Sequence, residues 1–437
     1  MKLVKLSLAA IVAAGALSSV ASAASLEEAI KNVDVSGYAR YRFDSKNTTT
    51  DDTKNYHRFT TDANFKAALD DNFFGVIGFR YDSRDASGER VNAATQVGVN
   101  DNGYDNYGQT FNVRQYYLGY TAGNTTIQAG RQVLGTFFTD DMVGTGIKVL
   151  NSDISGLTLA AIAFDNLQGT DGDMSTRGYK DDSNNQVGVV IGEKHEEYVY
   201  DRNLYGVAAI GSYDPVSFQA WYAALDSVAQ LYALDVTLGA NLGGADLSLQ
   251  AQYAGSSVWA SKVGYGYYDK NDNNIYKIAN ADLDDAQFLA VKAGAKAFGF
   301  DASVGYVNIN TQGNGRSLIS LEDQGGFITA GEDLLDYTLI NSDQSIYFVT
   351  AGYTFADKVR VGADYVGARL DYDNRNANNR DVISNAANNY TDAYEAVARV
   401  DYKYSKKLNF KTWYSYINRD NNEDDAKHLR FEARYNF

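Results

Sequence analysis

The chain has few residues of the kinds that build enzyme sites or disulfide scaffolds. Of its 437 residues none is cysteine, one is proline (Pro215) and three are histidine. Without cysteine there is no disulfide framework and no thiolate zinc site. No stretch approaches the ~20 consecutive apolar residues of a membrane-spanning helix. With so few histidines and no Ser/His or Asp/His constellation in view, the sequence does not predict an enzyme.

Positive charge is also scarce. The formal net charge is −16 at pH 7, and it is more negative by two if a leader carrying Lys2 and Lys5 is removed. Nucleic acid is therefore not an expected partner, because phosphate contacts need a basic surface. In a water-filled channel the same acidity favours cations. The alternative is that acidic loops only keep the surface soluble.

The first residues predict a secretory signal peptide. Lys2 and Lys5 precede an apolar run over 6–17, and Ala21-Ser22-Ala23 is a small-x-small cleavage site. The run is too short to span a bilayer as a helix. We therefore predict a signal peptide over 1–23 and one mature domain over 24–437.

The last ten residues alternate strictly between apolar and polar side chains. Period two over ten residues matches the length and pattern of a transmembrane strand, although a soluble sheet with one wet face alternates in the same way. The final residue, Phe437, favours the membrane, since outer-membrane barrels typically end in an aromatic residue that the barrel-assembly machinery reads. One face would carry Leu429, Phe431, Ala433, Tyr435 and Phe437, and the other His428, Arg430, Glu432, Arg434 and Asn436.

Short and long connections alternate along the chain. Eight short turns join sixteen strands, and the first and last strands make eighteen; sixteen is the alternative count. The pattern predicts an all-β, transmembrane antiparallel barrel with short periplasmic turns, long extracellular loops and an aqueous lumen. The turns are 69–72, 122–125, 151–156, 213–216, 241–245, 297–299, 355–358 and 405–407. The loops are 45–56, 84–110, 134–144, 165–202, 226–230, 255–285, 310–344, 368–393 and 419–426.

Arginines recur in the early strands. Arg40 and Arg42 share one face of the first strand, and Tyr41 and Phe43 share the other. Arginine on the lipid side costs about 2–4 kcal/mol at mid-membrane, so the inward orientation is favoured. These residues would form a basic wall that orients solutes, or an ion-pair network that stiffens the barrel. The predicted pore-lining basic residues are Arg40, Arg42, Arg58, Arg80, Arg114 and Arg131.

Acidic residues cluster in three of the predicted loops, 134–144, 165–202 and 310–344. The segment 134–144 follows an early strand, and we expect it to fold into the barrel. Acids there would face the arginines and set up a transverse field; alternatively they are solvated loop acids. The predicted constriction acids are Asp140, Asp141, Asp171, Asp173, Glu322 and Asp323, with Asp165 nearby.

Several blocks of sequence are similar to one known family. They are 1–8, 26–37, 143–149, 156–161, 203–209, 322–325, 359–366 and 395–404. They resemble the campylobacterial major outer membrane protein family of porins, along both ends and most strands.

The resemblance implies a homotrimeric, cation-preferring general porin in the bacterial outer membrane, in contact with its lipid. It also implies possible calcium near the constriction, with Asp141, Asp173 and Glu322 as candidate ligands. Hard oxygen ligands suit calcium, although no segment forms an EF-hand loop. Two alternatives stay open. The chain could be an adhesin or receptor that uses the loops 84–110, 165–202 and 255–285, or a substrate-specific channel.

Overall fold

The computed structural model describes most of the predicted mature chain. The predicted leader 1–23 lies outside the described residues. Among them, no helix is long and apolar enough to cross a membrane. The described residues are 33–49, 53–87, 107–168, 187–191, 202–259, 263–269, 274–312, 316–335, 337, 340, 342–371, 390–420 and 425–437.

Eighteen antiparallel strands form one closed barrel. Each strand pairs with the next barrel strand along the chain, and β22 returns to pair with β1. The predicted count of eighteen is therefore confirmed over sixteen. The barrel strands are β1 Asp34–Thr48, β2 Lys54–Ala68, β3 Phe73–Ser87, β4 Tyr107–Ala122, β5 Thr125–Val133, β6 Val143–Asn151, β7 Leu157–Leu167, β9 Leu204–Tyr213, β10 Val216–Leu225, β11 Ala229–Leu242, β12 Ala245–Val258, β15 Ala286–Ala297, β16 Phe300–Thr311, β18 Asp343–Phe355, β19 Val359–Asp371, β20 Tyr390–Lys403, β21 Leu408–Arg419 and β22 Ala426–Asn436.

Closure extends to the last residue. Beyond the β1–β22 ladder, the amide of Gly37 donates to the carbonyl of Phe437 at 3.2 Å, and the amide of Phe437 donates back at 3.1 Å. A closed barrel leaves no unpaired strand edge, which is what a sheet inside a bilayer requires.

All eight predicted short turns are present and lie at one rim, which we call the turn rim. The β11–β12 turn is Gly243-Gly244, and both glycines have positive φ (61° and 91°), as a two-residue hairpin turn favours. The other nine connections lie at the opposite rim, which we call the loop rim. In outer-membrane barrels the short turns face the periplasm.

A second, four-stranded sheet joins three of the long loops. Its order is β17-β14-β13-β8, with β14 and β17 parallel and the other pairs antiparallel. The predicted loops 165–202, 255–285 and 310–344 thus pair with one another. Its strands are β8 Val187–Ile191, β13 Val263–Asp269, β14 Asn274–Asp284 and β17 Arg316–Ser317.

The outer face of the barrel is apolar between two aromatic rows. On β18–β21 four tyrosines lie side by side nearer the loop rim, with neighbouring ring centroids 6.0–6.2 Å apart: Tyr347, Tyr365, Tyr394 and Tyr416. Tyr353, Phe355, Tyr402 and Phe410 form aromatic pairs nearer the turn rim. Between the two aromatic rows the outward side chains are valines and alanines: Val349, Ala351, Val361, Ala363, Ala398 and Val400. Aromatic belts flanking an apolar band are typical of outer-membrane barrels.

A β-bulge in β4 shifts the alternation of that strand. Gly78 of β3 pairs with Gln115 and the next residue, Phe79, pairs with Val113, so Arg114 has no partner residue. Val113 and Tyr116 are exposed on the outer face, whereas Arg114 is 6% exposed in the lumen. A bulge places one extra residue in the strand and redirects its side chain, here into the basic wall.

Candidate functional site in the barrel lumen

The lumen face of β22 and β1–β4 is the basic wall, and most of its arginines are paired. Arg58 donates to Asp82 on the neighbouring strand at 2.7–3.0 Å through Nε and Nη2. Arg42 donates to Glu432 at 3.2 and 2.8 Å. The predicted ion-pair network is therefore present, since guanidinium–carboxylate forks of this kind hold side chains in fixed positions.

Two arginines of the wall share two carboxylates. Arg80 Nε lies 3.1 Å from Asp62, and Arg80 Nη2 lies 2.6 Å from Asp141. Arg114 Nη2 lies 2.7 Å from the other oxygen of Asp141, and it also donates to the backbone carbonyl of that residue. Although burial opposes ionisation, Arg114 and Arg80 hold the pKa of Asp141 below its usual value. Asp141 thus faces the arginines and contacts them directly, and the transverse field across the constriction stays a prediction.

Arg131 does not line the lumen, contrary to the prediction. It pairs in register with Tyr116, which is 68% exposed on the outer face. Its side chain is exposed, and its Nη1 donates to the carbonyl of Val113 at 3.4 Å. The neighbouring Gln132 takes the inward position and is buried. Strand alternation therefore places Arg131 outside.

The segment 134–142, inner loop A, folds against the wall as expected. Its apolar side chains are almost fully buried: Leu134, Phe137, Phe138 and Met142. Asp141 at its end contacts Arg80 and Arg114 of β3 and β4. The loop therefore lies in the lumen and narrows it.

A single carboxylate oxygen holds the end of inner loop A. Oε2 of Glu322 accepts hydrogen bonds from the amides of Asp140 (3.1 Å), Asp141 (2.9 Å) and Met142. Glu322 is only 2% exposed. Burial, followed by the nearby charge of Asp141, raises the pKa of Glu322 to about 8.

The described residues of a second loop, 318–342, also pack inside the barrel, an insertion that was not among the predictions from sequence. We call it inner loop B. Its contact with inner loop A includes the rings of Phe137 and Phe327 (centroids 4.8 Å apart) and the bond from Gly326 N to the Phe137 carbonyl (2.7 Å). The side-chain amide of Gln252 on β12 donates to the carbonyl of Gly326 at 2.9 Å and accepts from the amide of Ile328 at 2.7 Å. The buried residues of this loop include Leu318, Ile319, Leu321, Phe327, Ile328, Leu335, Tyr337 and Ile340.

The signal for this insertion was in the sequence. A water-facing loop is polar, because its backbone and side chains meet solvent. Leu318-Ile319, Phe327-Ile328 and Leu334-Leu335 are apolar pairs within one long loop. Apolar pairs in such a loop indicate inward packing.

The tip of inner loop B is held by a second buried carboxylate. Glu395 of β20 accepts hydrogen bonds from the amides of Glu332, Asp333 and Leu334 at 3.0–3.3 Å. Gly331 has φ +76°, and a Cβ there would lie 2.1 Å from Glu395 Oε2, so the close approach requires glycine.

A histidine joins the same tip to the strands that close the barrel. The two ring nitrogens of His428 lie 2.7 Å from Asp333 and 2.8 Å from Asp44 of β1. Its ring also packs edge-on against Trp413 of β21. The tip is therefore held to β1, β20, β21 and β22 together.

The predicted constriction acids have different positions. Asp140 lies beside Asp141, and burial, followed by the Asp141 charge, raises its pKa. Asp323 follows Glu322 and has positive φ (45°). Asp165 is exposed at the end of β7. Asp171 and Asp173 lie outside the described residues.

The candidate calcium ligands do not by themselves form a cation site. Both oxygens of Asp141 are bound by guanidinium groups, and one oxygen of Glu322 accepts three amides. Within the part of the chain that is described, no group of three metal-type side chains is present. Calcium prefers several free oxygen ligands, so the described residues alone do not fit it. The third candidate, Asp173, is outside them, and calcium stays a prediction.

Comparison with known sequences identifies the family. The family model for the Campylobacter major outer membrane protein matches residues 1–437. The chain belongs to this family. The major outer membrane protein resemblance expected from the sequence blocks is thus confirmed over the whole chain. The search of curated proteins found no significant match.

Solved structures share the fold. OccAB3 of Acinetobacter baumannii has 12% sequence identity and a TM-score of 0.67, and the match covers 93% of this chain and 99% of OccAB3. OccK9 (OpdG) of Pseudomonas aeruginosa has 11% sequence identity and a TM-score of 0.67, and the match covers 94% of this chain and 99% of OccK9. The outer membrane protein opdK of the same organism has 10% sequence identity and a TM-score of 0.64, and the match covers 93% of this chain and 99% of opdK. The chain is a multi-pass outer-membrane β-barrel, as predicted, and the family supports a channel.

Proposed function

We propose that this outer-membrane barrel is a general diffusion porin, a water-filled and cation-preferring channel for ions and small hydrophilic solutes. The observation that carries the proposal is the contrast between its two faces. The outer face is apolar between aromatic rows, whereas the inner face of β22 and β1–β4 carries ion-paired charges. Charged side chains on an inner barrel face are stable only in contact with water or with one another.

The cation preference rests on the two inner loops. Residues 134–142 and 318–342 contain no lysine or arginine. Their acidic residues are Asp140, Asp141, Asp323, Glu332, Asp333 and Asp336, besides Glu322, whose raised pKa of about 8 favours its neutral form at pH 7. Acids on the segments that narrow a lumen raise the local cation concentration. The paired arginines of the wall offset part of this field, so we expect moderate selectivity.

Planar-bilayer recording tests the proposal. The purified protein should conduct in steps grouped in threes, as a homotrimer does, and the reversal potential in a KCl gradient should have the sign of potassium preference. Silent bilayers, or an anion-selective reversal potential at neutral pH, would refute the proposal.

Two variants locate the source of the preference. Asp140→Asn removes one negative charge beside the constriction and should move the reversal potential toward zero. Asp153→Asn removes the same charge at an exposed turn-rim position and serves as the matched control. An equal shift in both variants would assign the preference to overall charge and not to inner loop A.

A further inference from the structure

Two neighbouring arginines of the basic wall lack a carboxylate of their own. Arg58 is paired with Asp82, and Arg430 Nε lies 2.5 Å from Asp44. Arg80 and Arg114 share two acids, as described above. Glu432 is bound by Arg42 at 2.8 Å, and Arg40 reaches that same oxygen only at 4.0 Å. Arg40 and Arg434 therefore carry the positive charge that the acids of the wall leave over.

These two arginines are direct cross-strand neighbours. Arg40 of β1 and Arg434 of β22 are register partners. Like charges directly opposite each other on antiparallel strands repel. Among the described residues, no carboxylate lies within 4.0 Å of Arg434, and its Nε donates to Asn436 at 3.0 Å. Within the described part of the chain, the more distant Glu432, 4.0 Å from Arg40, is therefore the one acid near the pair, and it is already bound by Arg42.

One tyrosine ring holds both guanidinium groups. The Cζ of Arg434 lies 3.9 Å and that of Arg40 5.6 Å from the ring centroid of Tyr38. Cation–π contacts fix the position of a guanidinium without neutralising its charge. Arg80 donates to the Tyr38 hydroxyl at 3.4 Å, which ties the ring to the paired part of the wall. The two cations are thus held in place while their charge stays available.

Donor capacity is also available at this position. The Arg434 side chain is partly open to the lumen. Arg40 Nη2 donates to the Thr60 hydroxyl at 3.3 Å, and Arg40 Nε is buried without a hydrogen-bond partner. Guanidinium groups recognise carboxylate and phosphate through paired N–H donors. Both residues lie near the strand ends of the turn rim, because Arg434 is three residues before Phe437.

We propose that Arg40 and Arg434, held by Tyr38, form an anion subsite in the turn-rim half of the lumen. It binds the carboxylate or phosphate group of a small hydrophilic solute. The subsite lies in series with the acidic inner loops, so a solute with one cationic and one anionic group meets a complementary charge at each level. The inference rests on the proposed channel, since the solute reaches the subsite through the lumen.

The test is the effect of small anions on potassium conductance. Conductance is recorded in KCl at constant ionic strength and pH while inorganic phosphate or succinate is titrated in. We expect a saturable reduction for the wild type. In Arg434→Gln and Arg40→Gln the half-saturating concentration should rise about tenfold or more, the factor that one lost charge-assisted hydrogen bond supplies. Arg131→Gln removes the same charge from the outer face and should leave the effect unchanged.

A further variant keeps the test valid if the arginine variants fold poorly. Glu432→Gln removes the shared acid and should strengthen the anion effect. An effect of phosphate alone or of succinate alone supports the subsite and identifies the preferred group. No saturable effect of either anion, or equal effects in the wild type and Arg434→Gln, would overturn it. Absent conductance in plain KCl would instead refute the proposed channel.

Discussion

At the scale of single residues, buried carboxylates position the loops inside the lumen. Glu322 and Glu395 each accept amides from three consecutive residues of an inner loop. An amide left without an acceptor in a buried site costs about 1–3 kcal/mol. These two side chains therefore help to hold the loops against the wall, together with the apolar packing of both loops.

The Glu322 variants separate hydrogen bonding from charge. Glu322→Ala should release inner loop A, because three buried amides lose their acceptor at once. Glu322→Gln should stay close to the wild type, since its side-chain carbonyl can accept the same bonds and the raised pKa of Glu322 already favours a neutral group. Hydrogen exchange of the amides of 140–142 measures the difference. Equal loss of protection in both variants would contradict this explanation.

At the scale of elements, the bulge in β4 decides which side chains meet lipid. Simple alternation places Val113 and Gln115 on one face. In the structure Val113 is exposed on the outer face, whereas Gln115 turns inward and donates to Asn64 at 2.7 Å. The bulge at Arg114 causes this difference.

Lysine substitutions test the bulge. Val113→Lys places a charge on the lipid face, at a cost of up to about 2–4 kcal/mol that depends on depth. We expect it to reduce folding into lipid vesicles, measured by the heat-dependent shift in gel mobility. Gln115→Lys is the matched control and should fold, since its charge faces lumen water. Failure of both variants, or normal folding of both, would show that the register is different.

At the scale of the whole molecule, the proposed calcium site needs three distant segments. Both oxygens of Asp141 and one oxygen of Glu322 are engaged with protein donors, so a cation depends on a further carboxylate. We expect Asp173→Asn to weaken calcium binding about tenfold or more, a loss at least as large as that from removing an outer-shell partner. Calcium titration calorimetry of the detergent-solubilised protein measures this, with Asp171→Asn as the control. If calcium does not bind to the wild type, the predicted calcium site is wrong.

Much of the barrel could be predicted from the sequence, but only part of its lumen. The eight turns and the inward orientation of Arg40, Arg42, Arg58 and Arg80 follow from local patterns. The outward orientation of Arg131 also follows from alternation, once Gln132 is recognised as the inward residue. The pairing of Asp141 with Arg80 and Arg114 could not be read in this way, because it depends on the path of inner loop A.

The sequence by itself determined the eighteen strands, their turns and the two faces of each regular strand. The physical reason is that the two-residue alternation of a strand and the backbone angles of a turn depend on only a few neighbouring residues. The tertiary structure alone decided which loops enter the lumen and which arginines keep an acid of their own. Those contacts join residues that are far apart in sequence, such as Met142 and Glu322, which are 180 positions apart. Closing the barrel brings Arg434 beside Arg40, and only then is their unbalanced charge visible.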